Sequence, residues 1–200
     1  LGSGKYGERQ VDTFLGWSRS ALRSLRDGKH QPGQAVAFAG EANCGKSLLQ
    51  KIITEVFGGR AAKASLYMSG RSNFNAELFE AEHLMLEDES MVPHMTARRA
   101  LGDSIKKTVV NELQDCHRKH RTVVNLQPWW RLTISVNDDP TALLVLPPLD
   151  DNVRDKINLL RAARFDMPMP TITADQRKEF WERIKSEIPA FSDYLLTTET

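Results

Sequence analysis

The sequence predicts an α/β fold with a mainly parallel sheet, and three observations lead there. Strand-like apolar runs alternate along the chain with segments of helical spacing. The loop Gly40-Glu41-Ala42-Asn43-Cys44-Gly45-Lys46-Ser47 fits G-x-x-x-x-G-K-[ST] and lies between one such run and one such segment. A second apolar run, His83-Leu84-Met85-Leu86-Glu87-Asp88-Glu89, ends in acids.

Residues 1–9 read as loose and polar. Val11, Phe14, Leu15, Leu22 and Leu25 then fall on one helical face, with Arg19, Arg23 and Arg26 on a solvated basic side. Gly28, Pro32 and Gly33 end that helix and lead into the β-like run 34–39. After the loop, Leu48, Leu49, Ile52, Ile53 and Val56 mark a helix closed by Gly58-Gly59. Residues 62–68 read as a second strand, and Ser72 or Asn73 caps a short helix through Glu82. Residues 83–89 form the acidic strand, and 95–115 read as a long helix interrupted at Gly102. Residues 123–126 and 131–136 are strand-like, separated by Pro128; 137–140 turn; 157–160 form a last strand. Thr173 caps a final helix, with Gln176 completing a capping box. Phe180, Trp181, Ile184 and Ile188 share one side of it, and Pro189 ends it.

Composition narrows the class. A net charge of +1 with 40% hydrophobic and 26% charged residues is ordinary for a soluble globular chain, so an argument for nucleic acid must come from local clustering. The two cysteines, Cys44 and Cys116, form no C-x-x-C, which predicts reduced thiols and no zinc site. No apolar run reaches membrane length and no signal peptide is visible. The chain begins at Leu1 rather than Met, from which a fragment of a longer protein is expected.

The 40–47 loop carries specific chemistry. Gly40 and Gly45 let the backbone wrap a polyphosphate. Successive N–H groups over Asn43, Cys44, Gly45, Lys46, Ser47 and Leu48, together with the helix N-terminus, present partial positive charge. Lys46 reaches the β- and γ-phosphates and the Ser47 hydroxyl binds Mg²⁺, so ATP and Mg²⁺ are the expected cofactors. The acidic strand end supplies the complementary half. On a strand, Glu87 and Glu89 share one side and Asp88 takes the other. Asp88 is favoured for the magnesium side and Glu89 as the base that orients water, with Glu87 as the reserve metal ligand.

Two polar features complete the set. His117-Arg118-Lys119-His120-Arg121 is a dense cation cluster between 113–114 and 122–126, which can pair as a hairpin with the cluster at its tip. Exposed Arg118, Lys119, His120 and Arg121 suit a phosphate backbone, while a solvated turn explains them equally well. Cys116, His117 and His120 match no zinc spacing. Asn137 ends the strand 132–136, where its amide can touch the γ-phosphate or the attacking water; alone it would be a common turn residue.

In this order the parts resemble the superfamily 3 helicases, the AAA+ motors of small DNA viruses, phages and related plasmids. The segments 72–74 through 84–89 look like the helix and acidic strand of the papillomavirus replicative helicase core. Arg118-Lys119-His120-Arg121, Pro128 and then Ile134-Ser135-Val136-Asn137 look like its hairpin leading into sensor 1. The tail Trp181-Glu182-Arg183-Ile184 through Pro189-Ala190-Phe191 is similar to that of phage primase-helicases.

The resemblance implies a P-loop NTPase core with a five-stranded sheet, a projecting β-hairpin and small helical N- and C-terminal extensions. It divides the chain into a helical segment and linker at 1–33, the core at 34–165 and a helical tail at 166–200. It implies a homo-hexameric ring with ATP at subunit interfaces, a DNA strand in the pore and 3′-to-5′ movement. Arg154 or Lys156 falls where the family keeps an arginine finger acting in trans, and Lys106 or Lys107 at a basic position before the hairpin. Glu87 replaces an apolar residue of the family strand. A primase or origin-binding domain is expected elsewhere in a full-length chain. The setting it implies is a bacterial host's cytoplasm, or a host nucleus for a eukaryotic virus.

Overall fold

The run Ala35–Ala39 is buried at every position, as a strand covered on both faces must be. The computed structural model describes residues 5–87 and 94–198. Its strands are β1 (Ala35–Ala39), β2 (Ala61–Lys63), β3 (His83–Glu87), β4 (Gln114–Cys116), β5 (Val124–Leu126), β6 (Arg131–Val136) and β7 (Ile157–Arg161). Its helices are α1 (Lys5–Asp27), α2 (Lys46–Val56), α3 (Ser65–Met68), α4 (Met95–Val110), α5 (Pro140–Leu143) and α6 (Ala174–Thr197). Five strands form one sheet in the order β2-β3-β6-β1-β7, every pairing parallel. The register sets Ala39 opposite both Val136 and Arg161, and Glu87 opposite Ser135. All the carboxyl ends therefore lie along one edge, where ligands bind in open α/β sheets.

The period-two alternation of β1 separates two cores. Ala35, Ala37 and Ala39 join Leu84, Leu86, Leu132 and Ile134 against Leu101, Ile105 and Val109 of α4. Val36 and Phe38 face the other way, to Phe14 and Trp17 of α1, Ile53 and Val56 of α2, and Leu195 of α6. The N- and C-terminal helical extensions are α1 and α6, of 23 and 24 residues, which pack together over this second face.

Several elements depart from the sequence reading. The first helix begins by Lys5, inside the stretch read as loose. Arg19 is buried rather than solvated, its Nε donating to the Leu195 carbonyl at 2.9 Å. The expected strand 62–68 splits: after β2 the chain turns into α3, which buries Ser65 and Met68. The short helix expected from 72 or 73 to 82 is a 3-10 helix, Ala76–Glu80, with Asn75 before it. Helix α4 passes through Gly102 and stops at Val110, releasing 114–116 to a strand. A Cβ at Gly102 would lie 3.1 Å from Pro147 Cβ and 3.2 Å from Val153 Cγ2, so glycine here permits close packing and breaks nothing.

Helix α6 continues past Pro189 to Thr197. An interior proline costs about 3 kcal/mol. Full burial of Leu195, worth about 1.5–3 kcal/mol, together with Phe191 and Ile188 packed on the second core, offsets it.

Candidate functional site

The 40–47 loop leaves β1 and enters α2 through a tight backbone path. Asn43 and Gly45 have φ of +62° and +97°, and Gly45 is the N-cap of α2. A Cβ on Gly40 would lie 2.2 Å from the Ala162 carbonyl oxygen and 2.8 Å from Cys44 Sγ. That carbonyl belongs to the strand neighbour, because the Ala162 N–H donates to Ala39 O at 2.7 Å. Gly40→Ala is thus expected to push the loop off β7 and lose nucleotide binding while the rest of the sheet folds. Nucleotide titration beside circular dichroism checks this.

Lys46, the first residue of α2, is buried. Its ammonium donates to Gly40 O at 2.7 Å, Glu41 O at 2.8 Å and Asn137 Oδ1 at 3.1 Å, with Cys44 Sγ 3.9 Å away. Asn137 reaches it because β6 lies between β1 and β3 and ends one residue earlier. Ser47 is exposed at the helix start and Leu48 is half-buried behind it. The sequence-predicted Gly40, Asn43, Cys44, Gly45, Lys46, Ser47, Leu48 and Asn137 therefore share one end of the sheet. The arrangement can wrap an oxyanion: a bent loop, a helix N-terminus, and an ammonium held at the loop's centre.

Glu87 comes to the same end of the sheet, where its carboxylate pairs with Lys63 Nζ at 2.8 Å. Asp88 and Glu89, the preferred metal and water ligands, lie outside the described residues. Among the described residues no group of three His, Cys, Asp or Glu side chains is placed to hold a metal ion.

Behind the loop lies a hydrogen-bond circuit that sequence reasoning missed. Gln50 Nε2 donates to Thr133 Oγ1 at 2.9 Å. Thr133 Oγ1 is 2.8 Å from His83 Nε2, and His83 Nδ1 is 2.7 Å from Thr54 Oγ1. The Thr54 hydroxyl donates to the Gln50 carbonyl at 3.1 Å. Because the amide N–H only donates and the carbonyl only accepts, the protons have one placement. Thr133 donates to His83 Nε2, and neutral His83 donates from Nδ1 to Thr54. The circuit joins α2 to β3 and β6, the strands that end at Glu87 and just before Asn137. A glutamine among the apolar residues of the helix face at 49, 52, 53 and 56 was its trace in the sequence.

Burial pushes the His83 pKa down to about 4. The unfolded chain takes the proton near pH 6.5 and the folded one does not. The circuit's stability is therefore full above pH 6.5 and falls as pH drops toward 4, by about 2 kcal/mol at pH 5. Urea unfolding at pH 7 and pH 5 should show that loss in the parent protein and not in His83→Gln.

A cavity of about 650 Å³ opens beside Lys46, between α2 and the chain after β7. Leu49, Ile52, Phe165 and Met167 give it apolar walls, and Arg164 and Asp166 stand among them. Phe165, at 77% exposed, marks the region: a large aromatic left in water beside the loop.

The basic cluster is the tip of a hairpin, as expected, with Gln114 opposite Leu126 and Cys116 opposite Val124. Arg118, Lys119, His120 and Arg121 are exposed. His120 takes φ +58° and the Arg121 N–H closes the turn on Arg118 O at 3.1 Å. Arg118 also pairs with Glu80 at 3.1 Å, an exposed contact worth little. Buried Asn75 clamps the hairpin base: its Nδ2 donates to Asp115 O at 2.9 Å, its Oδ1 accepts from His117 N at 2.7 Å, and its own N–H donates to His117 O at 3.1 Å.

Arg154 and Lys156 precede β7, at the end of the sheet away from their own 40–47 loop. Arg154 pairs with Asp151 at 3.1 Å and Lys156 with Asp155 at 2.7 Å. The Asp155 carboxyl is held below its usual range, first by the hydrogen bond from Lys156, with a smaller pull from Lys106. Lys106 and Lys107 are exposed on α4 at that same end.

The fold is helicase-like. The apo structure of the NrS-1 C-terminal region (residues 305–718) superposes at TM-score 0.70 with 17% identity, covering 97% of this chain and 43% of that one. An A-form apo structure of the same region gives 0.65 at 17% identity, covering 96% and 42%. A ligand-bound JCV helicase gives 0.52 at 13% identity, covering 94% and 53%. The chain thus spans about half the length of these structures, or less. Residues 38–154 match DUF5906, described as a family of unknown function, and the chain belongs to that family. No curated protein matches the sequence. Among the described residues no helix is long and apolar enough to cross a membrane.

Proposed function

We propose that this chain is the ATPase motor of a DNA helicase of superfamily 3, AAA+ type, with residues 34–165 as the motor and 1–33 and 166–200 as helical flanks. One observation carries the reading: Asn137, from the strand inserted between the loop strand and the acidic strand, meets the Lys46 ammonium at 3.1 Å. The contact supports reading Lys46 as the phosphate-loop lysine and Asn137 as the γ-phosphate sensor. The geometry of the 40–47 loop supports ATP as the ligand. The loop has the left-handed turns and the bare Gly40 that close backbone approach requires, and the adjacent cavity of about 650 Å³ has room for a base and ribose.

Mg²⁺-bound ATP supplies a phosphoanhydride whose cleavage releases free energy. Lys46 neutralises charge on the β- and γ-phosphates, while N–H groups from Asn43 to Leu48 hold the chain of oxygens. Ser47 and Asp88 hold the metal, with Glu87 in reserve. Glu89 orients water and Asn137 holds it or the γ-phosphate. Arg154, or Lys156, acts on a neighbour's site across a homo-hexamer, with Lys106 or Lys107 supporting that contact. Lys119 and His120, flanked by Arg118 and Arg121, grip one DNA strand in the pore.

A second reading is a nucleotide-gated DNA-binding or assembly ATPase that does not unwind, since an exposed basic hairpin serves either role. Strand displacement on forked DNA separates them. ATP-dependent displacement by assembled rings is the expected result; turnover on DNA with no displacement would leave only the second reading.

A further inference from the structure

The chain leaving β7 carries apolar side chains into water beside the 40–47 loop, and it is fixed at both ends. The Ala162 N–H donates to Ala39 O at 2.7 Å, and Gln176 Oε1 accepts from the Ile172 and Thr173 N–H groups at 3.0 and 3.1 Å. Between these anchors residues 163–170 make no hydrogen bond to any described residue. Pro168 and Pro170 have no N–H to give, and each fixes its own φ. Phe165 is 77% exposed, so its ring, the greater part of its surface, is open to solvent.

The same residue forms part of the wall of the cavity of about 650 Å³ that takes in Lys46 of the loop and Leu49 and Ile52 of α2. Leu49 and Ile52 are half-buried and three positions apart, on one helix face. Ile52 lies six residues beyond Lys46, about 9 Å along the helix axis. The cavity is therefore cationic at one end and apolar farther along, a shape for an anion that carries an apolar group. Arg164 and Asp166, on either side of Phe165, also line it, and neither makes a hydrogen bond or ion pair with a described residue. They leave a donor set and an acceptor set at the rim. The edges of a nucleobase and its ribose can use both, whereas an alkyl chain can use neither.

We propose, taking 40–47 as the nucleotide loop, that Phe165 stacks on the nucleobase and that 163–170 is the strap that holds it there. The base lies between the Phe165 ring and the α2 face at Leu49 and Ile52. This stack makes the site one for nucleoside triphosphates of either purine rather than for inorganic polyphosphate, because every base offers a π-face. Phe165 is a binding residue: it holds the base and leaves the phosphates to the loop.

The test measures, by calorimetry with Mg²⁺ present, the binding of non-hydrolysable ATP and GTP analogues and of inorganic tripolyphosphate. The parent is expected to bind both analogues more tightly than tripolyphosphate. Phe165→Ala should weaken both analogues at least about fivefold and leave tripolyphosphate unchanged. Its melting temperature should match the parent's, since Phe165 belongs to neither apolar cluster. Phe165→Tyr should restore analogue binding. The base protons of the bound ATP analogue should shift upfield in the parent, from the ring current, and not in Phe165→Ala. Unchanged analogue affinity in Phe165→Ala would overturn the stack, as would an equal loss for tripolyphosphate or a loss confined to one base. A change in oligomeric mass with affinity unchanged would also overturn it, giving the ring to a second copy. A parent that binds tripolyphosphate as tightly as the analogues removes the base site and leaves the phosphate loop standing. A parent that binds none of the three removes both.

Discussion

Lys46→Ala is expected to abolish ATP hydrolysis, lowering kcat by at least about 10²–10³-fold, the range for loss of one preorganised donor to developing charge. The fold should survive, because the side chain's partners are two backbone carbonyls and Asn137 at the carboxyl end of the sheet, and Lys46 belongs to neither apolar cluster. Phosphate release measured beside the melting temperature checks both halves. A Lys46→Ala chain that hydrolyses ATP at the parent rate would remove the 40–47 loop from the catalytic site.

Lys119→Ala is expected to do the opposite: basal hydrolysis stays near the parent value and strand displacement falls by at least about tenfold, with the salt slope of DNA affinity reduced by about one. Lys119 is exposed at the hairpin tip, and the hairpin is secured at its base by Asn75, so truncating the tip leaves the clamp in place. Equal loss of hydrolysis and displacement would sink the pore-loop assignment.

The fold class and much of the site end were legible because their determinants are local. The bounds of β6, the start of β7, the capping box at Thr173 and Gln176, and the 40–47 loop are short patterns with their own geometry. What escaped depends on partners distant in sequence. Arg19 looked solvated until Leu195, 176 residues on, supplied its acceptor. Pro189 looked like a stop until α1 gave the last turns of α6 something to pack on. Asn75 looked like one polar residue among several, yet its three bonds to the hairpin join residues 40 and 42 positions away. The cavity at Phe165 needs two segments over a hundred residues apart to exist at all.

The circuit of Gln50, Thr133, His83 and Thr54 carries a consequence for how this sequence can drift. Thr133, His83 and Thr54 each spend their one proton within the circuit, so none of the three can change in isolation. Thr133→Val leaves both the His83 ring nitrogen and the Gln50 amide buried without partners, at about 1–3 kcal/mol each. An apolar replacement of several members together leaves nothing stranded and can be nearly neutral. These four positions on three separate elements are thus coupled by epistasis: variation among them is expected to come in concerted sets, each single step passing through a less stable intermediate.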